Sequence, residues 1–165
     1  MRDGGSRPDA IPSAHAALDL AGLADLFAPR AVAVVGAGRD PKSVGAVVMR
    51  NLLTGGFKGP VMPVNPKAEA IEGVLAYADV ETLPVAPDLA VVCTPAQVVP
   101  EVIDALGRKG ARAAVIISAG FSEAGEAGRA LQAKTVEIAR RHSMRLIGPN
   151  CVGVIAPGAA LNASF

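Results

Sequence analysis

Ala31-Val32-Ala33-Val34-Val35, then Gly36-Ala37-Gly38-Arg39-Asp40-Pro41-Lys42-Ser43, then Val44-Gly45-Ala46-Val47-Val48-Met49-Arg50-Asn51-Leu52-Leu53 is the stretch that decides the architecture. The first run is apolar, rich in valine, too short for a helix and stopped by glycine. It predicts a strand buried on both faces. The last run predicts a helix over Val44–Leu53, closed by Gly55-Gly56. A strand, a glycine-rich turn and a helix in that order open a βα unit.

The same alternation continues outward. Strands are predicted at Val61–Val64, Leu89–Cys93, Ala113–Ser118 and Arg145–Ile147, with a short one near Val74–Tyr77. Helices are predicted at Pro95–Gly107 and Glu126–His142. In the first, Val98, Val102, Ile103 and Leu106 form one stripe, and Pro100 sits in its first turn, where proline is tolerated. In the second, Ala127, Leu131, Thr135, Ile138 and His142 share a face. The segments Val152–Ile155 and Leu161–Phe165 fit neither period. Residues 1–21 read as a flexible tail and 22–165 as one domain. A short helix near Leu18–Phe27 joins them, and Pro29 ends it. The pattern predicts an α/β fold with a mainly parallel sheet and helices on both faces.

Composition narrows the function. The 165 residues carry 16 Lys+Arg against 15 Asp+Glu, a net charge of +1, which argues against a general polyanion binder. Aromatic residues make up 3% with no tryptophan, so base-stacking platforms for nucleic acid are not expected. The mean hydropathy of +0.39 comes from short apolar runs. None approaches the roughly 20 residues that a bilayer span needs, so no membrane association is expected. Cys93 and Cys151 make no staple framework, and no apolar signal segment is seen near Met1. Both point to the cytoplasm. No metal site is expected, because Cys and His do not pair at ligand spacing.

Ligands of open parallel sheets bind beyond the carboxyl ends of the strands. The loops after Val35, Val64, Cys93, Ser118 and Ile147 are therefore expected to line one crevice. In the first loop Gly36, Ala37 and Gly38 would let the backbone approach a phosphate. Val44 and Gly45 open a helix whose free N–H groups favour an anion, with Ser43 as its cap or as a phosphate donor. The spacing departs from G-x-G-x-x-G, since Pro41 stands at the third glycine position. The second loop reads Asn65-Pro66-Lys67. A NAD site would place an acid after this strand to hold the ribose. Lys67 instead suits a ribose phosphate, as in coenzyme A or NADP; the ordinary alternative is a solvated surface lysine. The third loop holds Thr94 and Pro95, where Thr94 is placed to cap the next helix. The fourth holds Ser118, Ala119 and Gly120, with Glu123 just beyond. The fifth holds Asn150 and Cys151.

Taken together, Leu26-Phe27-Ala28-Pro29-Arg30, Val34-Val35-Gly36-Ala37, Pro63-Val64-Asn65-Pro66-Lys67, Ile117-Ser118-Ala119-Gly120-Phe121 and Gly148-Pro149-Asn150-Cys151 resemble the CoA-binding domain of NDP-forming acyl-CoA synthetases. That family includes ADP-forming acetate–CoA ligase and, more distantly, the succinyl-CoA synthetase α subunit. The resemblance spans about residues 22–165. It implies a Rossmann-like fold that binds coenzyme A or an acyl-CoA. The first loop and Lys67 would hold the nucleotide part, Thr94-Pro95 and Ser118–Gly120 would follow the pantetheine arm, and Asn150 would face the acyl-transfer centre. Where the family usually has Ser after Gly-Ala, this chain has Gly38 and lacks that hydroxyl.

The resemblance also implies a reversible reaction: acyl-CoA, NDP and phosphate give a carboxylate, NTP and CoA. A phosphohistidine and an ATP-grasp unit belong to further domains or to a partner subunit. His15 and His142 are poor substitutes, so this chain alone is expected to bind CoA without completing catalysis, and no catalytic residue is assigned. Cys93 and Cys151 read as buried, inert thiols. The rival readings are a stand-alone or fused CoA-sensing domain and an NADP-binding oxidoreductase domain, the latter weakened because no catalytic Tyr/Lys or His/acid pair is evident.

Overall fold

A computed structural model describes residues 20–165. All but the last two residues of the expected 1–21 tail, and His15 with them, lie outside the described residues. Helix α1 (Leu20–Phe27) leads into β1 (Val32–Val35), then α2 (Val44–Thr54) and β2 (Val61–Val64). A small hairpin of β3 (Ala70–Ile71) and β4 (Val74–Leu75) precedes β5 (Leu89–Val92). A 3-10 turn at Ala96–Val98 runs into α3 (Val99–Lys109), followed by β6 (Ala113–Ile116), α4 (Glu126–Arg141) and β7 (Arg145–Ile147). The strands β8 (Gly153–Ala156) and β9 (Leu161–Ser164) end the chain.

The central sheet has five strands in the order β2-β1-β5-β6-β7, and every pair in it is parallel. The register aligns Val35 with both Val64 and Val92, and Val92 with Ile116. Parallel pairing in step puts the carboxyl ends along one edge. The chain leaves β1 for β2 on one side and later returns to β5 on the other. The switch in direction therefore lies between the ends of β1 and β5, where such sheets open a crevice.

Burial explains why this order holds. Val32, Ala33 and Val34 have no exposed surface. Alternate residues feed two cores. One face packs Ala33, Val35, Ala90, Val92 and Ile116 against Val99, Ile103 and Leu106 of α3 and Ile138 and Ala139 of α4. The other packs Val32, Val34, Val91 and Val115 against Val48, Met49 and Leu52 of α2 and Leu26 of α1. Each fully buried valine side chain contributes roughly 1.5–3 kcal/mol over an exposed one.

The expected α/β layering is observed, with instructive departures. The two segments without a clear period form the antiparallel hairpin β8–β9. It covers the second face with Val154, Leu161 and Ala163. A lone hairpin covering a sheet shows alternation over four residues only, too few to separate from a loop. The strand expected near Val74–Tyr77 is split: β4 pairs with β3, while Tyr77 makes a parallel bridge to Val64. On α4, Ala127 is exposed, and Gly128 and Thr135 are buried with Ile138 and Ala139.

At the opposite edge of the sheet, Asp88 ties the start of β5 to the start of β1. Its carboxylate accepts from the Arg30 backbone N–H at 2.7 Å and from Arg30 Nε and Nη2 at 3.1 and 3.0 Å. The guanidinium hydrogen bonds hold the Asp88 carboxyl below its ordinary range, and the Arg30 N–H adds to this. Arg30 itself is exposed, so the Coulombic part of the pair is screened. A lowered folded-state pKa stabilises the fold above the unfolded carboxylate value of about 3.9, and that contribution is lost as pH falls through the folded value. Acidification from pH 6 to below 4 should therefore lower the denaturant midpoint. Asp88→Asn should be less stable at pH 7 and show a shallower acid loss. An unchanged acid slope in Asp88→Asn would remove Asp88 from this role.

Candidate functional site

The ends of β1, β2 and β5 meet the outer face of α3 in a cleft of about 410 Å³, within the range of small-molecule pockets. Val35, Gly36, Val64, Asn65, Pro66 and Thr94 form one side. Val98, Val102 and Ala105 on the α3 side form the other, with Ala78 and Val80 between them. The rim carries Asp79, Glu81, Glu101 and Arg108. The walls are apolar and the few polar groups sit at defined points.

The first loop is held in shape by two glycines. Gly36 has φ +87°, and a Cβ there would lie 2.9 Å from the Cys93 carbonyl carbon and 3.0 Å from Thr94 Cγ2. Loops one and three thus touch through Gly36. A Cβ on Gly45 would lie 2.6 Å from the Gly36 carbonyl oxygen. Gly45 therefore lets the start of α2 press against the loop. That is the packing role of the third glycine in the dinucleotide fingerprint, reached here from a longer spacing. Ser43 caps α2: its hydroxyl donates to Asp40 O at 2.7 Å and accepts from Ala46 N at 3.4 Å. Those bonds support the capping role. Ala37 is buried, and Gly38 and Val44 are half-buried.

Asn65 joins the second loop to the first. Its Nδ2 donates to Ala37 O at 2.6 Å, and its Oδ1 accepts from Lys67 N at 2.8 Å. Arg39 Nη2 reaches Lys67 O at 3.4 Å. Lys67 is exposed, outside the residues lining the cleft, and its ammonium has no partner among the described residues.

The remaining loops share the edge but not the cleft. Ser118 Oγ donates to Thr94 O at 2.5 Å, tying the end of β6 to the end of β5. Asn150 N donates to Ser118 O at 3.0 Å. Glu123 Oε1 accepts from Gly120 N at 2.6 Å and Phe121 N at 3.1 Å. Those N–H groups, Gly120 first, hold the Glu123 carboxyl below its ordinary range. The Gly120 N–H is therefore occupied from within the loop. Ala119 and Pro95 are exposed. The expectation of one crevice is met by three of the five loops; Ser118, Ala119, Gly120 and Asn150 lie outside its lining.

Two further expectations change. Thr94 does not cap the next helix: the turn at Ala96–Val98 begins after Pro95 with no side-chain cap bond, and Thr94 Oγ1 is buried without a partner. A proline at the cap position displaces threonine by one residue. A His/acid pair is also present, His142 Nε2 to Asp104 Oδ1 at 2.8 Å. It lies between α3 and α4, away from the strand ends. A Cβ on Gly107 would meet the His142 ring, so the ring packs against α3 as a structural group. Burial pushes the Cys93 thiol up to about 12, with Cys151 adding to the rise, which leaves it protonated near neutral pH.

Sequence reasoning missed the far wall. Val98, Val102 and Ala105 follow helical spacing beside the buried Val99, Ile103 and Leu106. Two adjacent apolar stripes on one helix are more than a single core contact requires. That surplus was the available signal. Asp79, Glu81 and Arg108 carried none, because exposed charges are ordinary on any surface.

The chain is similar to known proteins. The CoA binding domain family matches residues 30–157. Acetate–CoA ligase [ADP-forming] II subunit alpha of Pyrococcus furiosus is 45% identical over 140 residues, which cover 84% of this chain and 30% of that protein. Acetate–CoA ligase [ADP-forming] of Methanocaldococcus jannaschii is 43% identical over 137 residues, covering 83% of this chain and 19% of that protein. A solved structure of the dinucleotide forming acetyl-coenzyme A synthetase 1 of Ca. Korarchaeum cryptofilum, in complex with phosphate and ADP, superposes with a TM-score of 0.82 at 42% identity. It is matched over 86% of this chain and 30% of its own. The chain thus spans less than a third of each of these relatives.

Gly45→Ala should force the start of α2 away from the first loop. We expect a loss of about 1–3 kcal/mol from overpacking. Gly158→Ala, with open space around the added carbon, should stay within about 0.5 kcal/mol. Equal midpoints for the two variants in denaturant titrations would refute the close-packing role.

Proposed function

The chain belongs to the CoA-binding domain family, and from that premise we propose that it is the CoA-binding module of an NDP-forming acyl-CoA synthetase. The whole reaction would convert acyl-CoA, NDP and phosphate reversibly to a carboxylate, NTP and CoA. The observation that carries the reading is the meeting of three features at one sheet edge. These are the glycine loop opening α2, the unpartnered Lys67 ammonium beside it, and the apolar cleft between β1, β5 and α3.

In this reading the cleft receives the adenosine end of CoA. Backbone groups of Gly36–Gly45 and the Lys67 ammonium hold its phosphates, with the start of α2 contributing its positive dipole end. Asn65 keeps the two loops in register; its polar atoms are committed to Ala37 and Lys67. The pantetheine arm runs along the sheet edge past Pro95 and Ser118–Gly120 toward Asn150. Bound CoA supplies the thiol that takes or gives the acyl group. The phosphohistidine and the ATP-grasp unit belong to further ligase domains or a partner subunit. His142 is committed to Asp104 and is not that carrier. The same reading puts the chain in the cytoplasm, where Cys93 and Cys151, both free, remain reduced. No helix among the described residues is long and apolar enough to cross a membrane.

Calorimetric titration with CoA, 3′-dephospho-CoA and NADPH tests the reading. CoA should bind, and more tightly than NADPH. Lys67→Ala should weaken CoA about tenfold or more, since a charged hydrogen bond is worth roughly 1.5–3 kcal/mol, and should scarcely change dephospho-CoA. No heat with CoA at millimolar concentration would overturn the reading. Equal losses for both ligands would take the 3′-phosphate away from Lys67.

A further inference from the structure

Thr94 ends the third strand-end loop inside the cleft, and its hydroxyl is the one buried side-chain polar atom without a hydrogen-bond partner among the described residues. Buried hydroxyls are nearly always paired, because an unpaired one forfeits its bonds to water. The fold makes no use of this one. It does not cap the following turn, which starts after Pro95. It does not bond to Ser118, which takes the Thr94 carbonyl instead. Its methyl already packs at Gly36, near the distance at which an added carbon would clash. Valine has the same shape and would suit the neighbouring Val35, Val64, Val98 and Val102 without leaving an unpaired group.

We infer that Thr94 is a specificity-determining residue whose hydroxyl bonds the adenosine end of the ligand. The inference rests on the CoA reading above and departs from the expectation that Thr94 follows the pantetheine arm. The cleft itself supplies the argument for the nucleoside. Its volume of about 410 Å³ and apolar walls suit a flat ring system. Its rim carries three carboxylates, Asp79, Glu81 and Glu101, against one cation, Arg108. Arg108 is itself paired with Asp104 and Glu81. Such a rim accepts amine donors and repels phosphate. The phosphates are thereby left to the first loop and Lys67, and the nucleoside to the cleft that Thr94 lines. A turn of about 120° about the Thr94 Cα–Cβ bond carries the hydroxyl to another staggered position on Cβ, so the ligand reaches this donor and acceptor through one torsion.

The test uses Thr94→Val and Thr94→Ser, with Thr94→Ala as a second deletion of the hydroxyl. Each is titrated with CoA and with 3′,5′-ADP, which lacks the pantetheine arm, and melted without ligand. Thr94→Val should melt at or above the wild-type temperature, because it removes a group the unliganded fold leaves unpaired. It should lose about tenfold or more in affinity, by the same factor for both ligands, because a buried polar ligand group is left without its partner. Thr94→Ser should retain most of the affinity. Unchanged affinity in both Thr94→Val and Thr94→Ala would overturn the proposal. So would a loss for CoA but not for 3′,5′-ADP, which would return Thr94 to the pantetheine arm. A marked drop in melting temperature with unchanged affinities would assign the hydroxyl to the fold. Failure of wild-type protein to bind CoA at all would defeat the broader CoA reading, a result separable from any of these.

Discussion

Strand β1 has neighbours on both sides and helices over both faces. It pairs in step with β2 and β5, and its central residues have no exposed surface. A strand so placed cannot slip by one residue without turning every valine into the wrong core. That constraint sets where Gly36 falls. Gly36 follows the last β1 residue, donates its N–H to Val64 O at 3.1 Å, and faces the end of β5. The position of the first loop is thus inherited from a strand enclosed on every side.

From that loop the site is assembled by short contacts between neighbours. Gly45 admits the start of α2, Asn65 ties in the second loop, and Ser118 and Asn150 hang the fourth and fifth loops from Thr94 and from each other. The sheet has two edges with different work. The amino edge carries the Arg30–Asp88 clamp, a group of bonds satisfied within the fold. The carboxyl edge carries Lys67 without an ionic partner and Thr94 with a hydroxyl unspent.

Much of this was legible in the sequence. Short apolar runs ending in glycine or small polar residues located every strand of the central sheet. Helical spacing located α2, α3 and α4. The loops of the site followed, because a parallel sheet puts its carboxyl ends together. What escaped depended on contacts distant in sequence. The β8–β9 hairpin shows its alternation only once the face it covers is known. The second apolar stripe of α3 reads as core until the strands leave it uncovered. Asn65, expected to fix the second loop, bonds to Ala37 O and Lys67 N, and Thr94, expected as a cap, is unpaired. In both cases the residue type was informative, but its partner was set by the packing of another loop.

We propose that ligand binding is confined to the carboxyl edge of the sheet, at the junction of β1, β5 and α3. The most direct measurement is a titration of the isotopically labelled chain with CoA, followed by backbone amide NMR shifts. Large shifts are expected at Gly36–Gly45, Asn65, Lys67, Thr94, Val98 of the 3-10 turn and Val102 of α3. Almost none are expected at Arg30 and Asp88 on the opposite edge. Shifts centred on the amino edge, or saturating binding that leaves the Gly36–Gly45 amides unmoved, would contradict it.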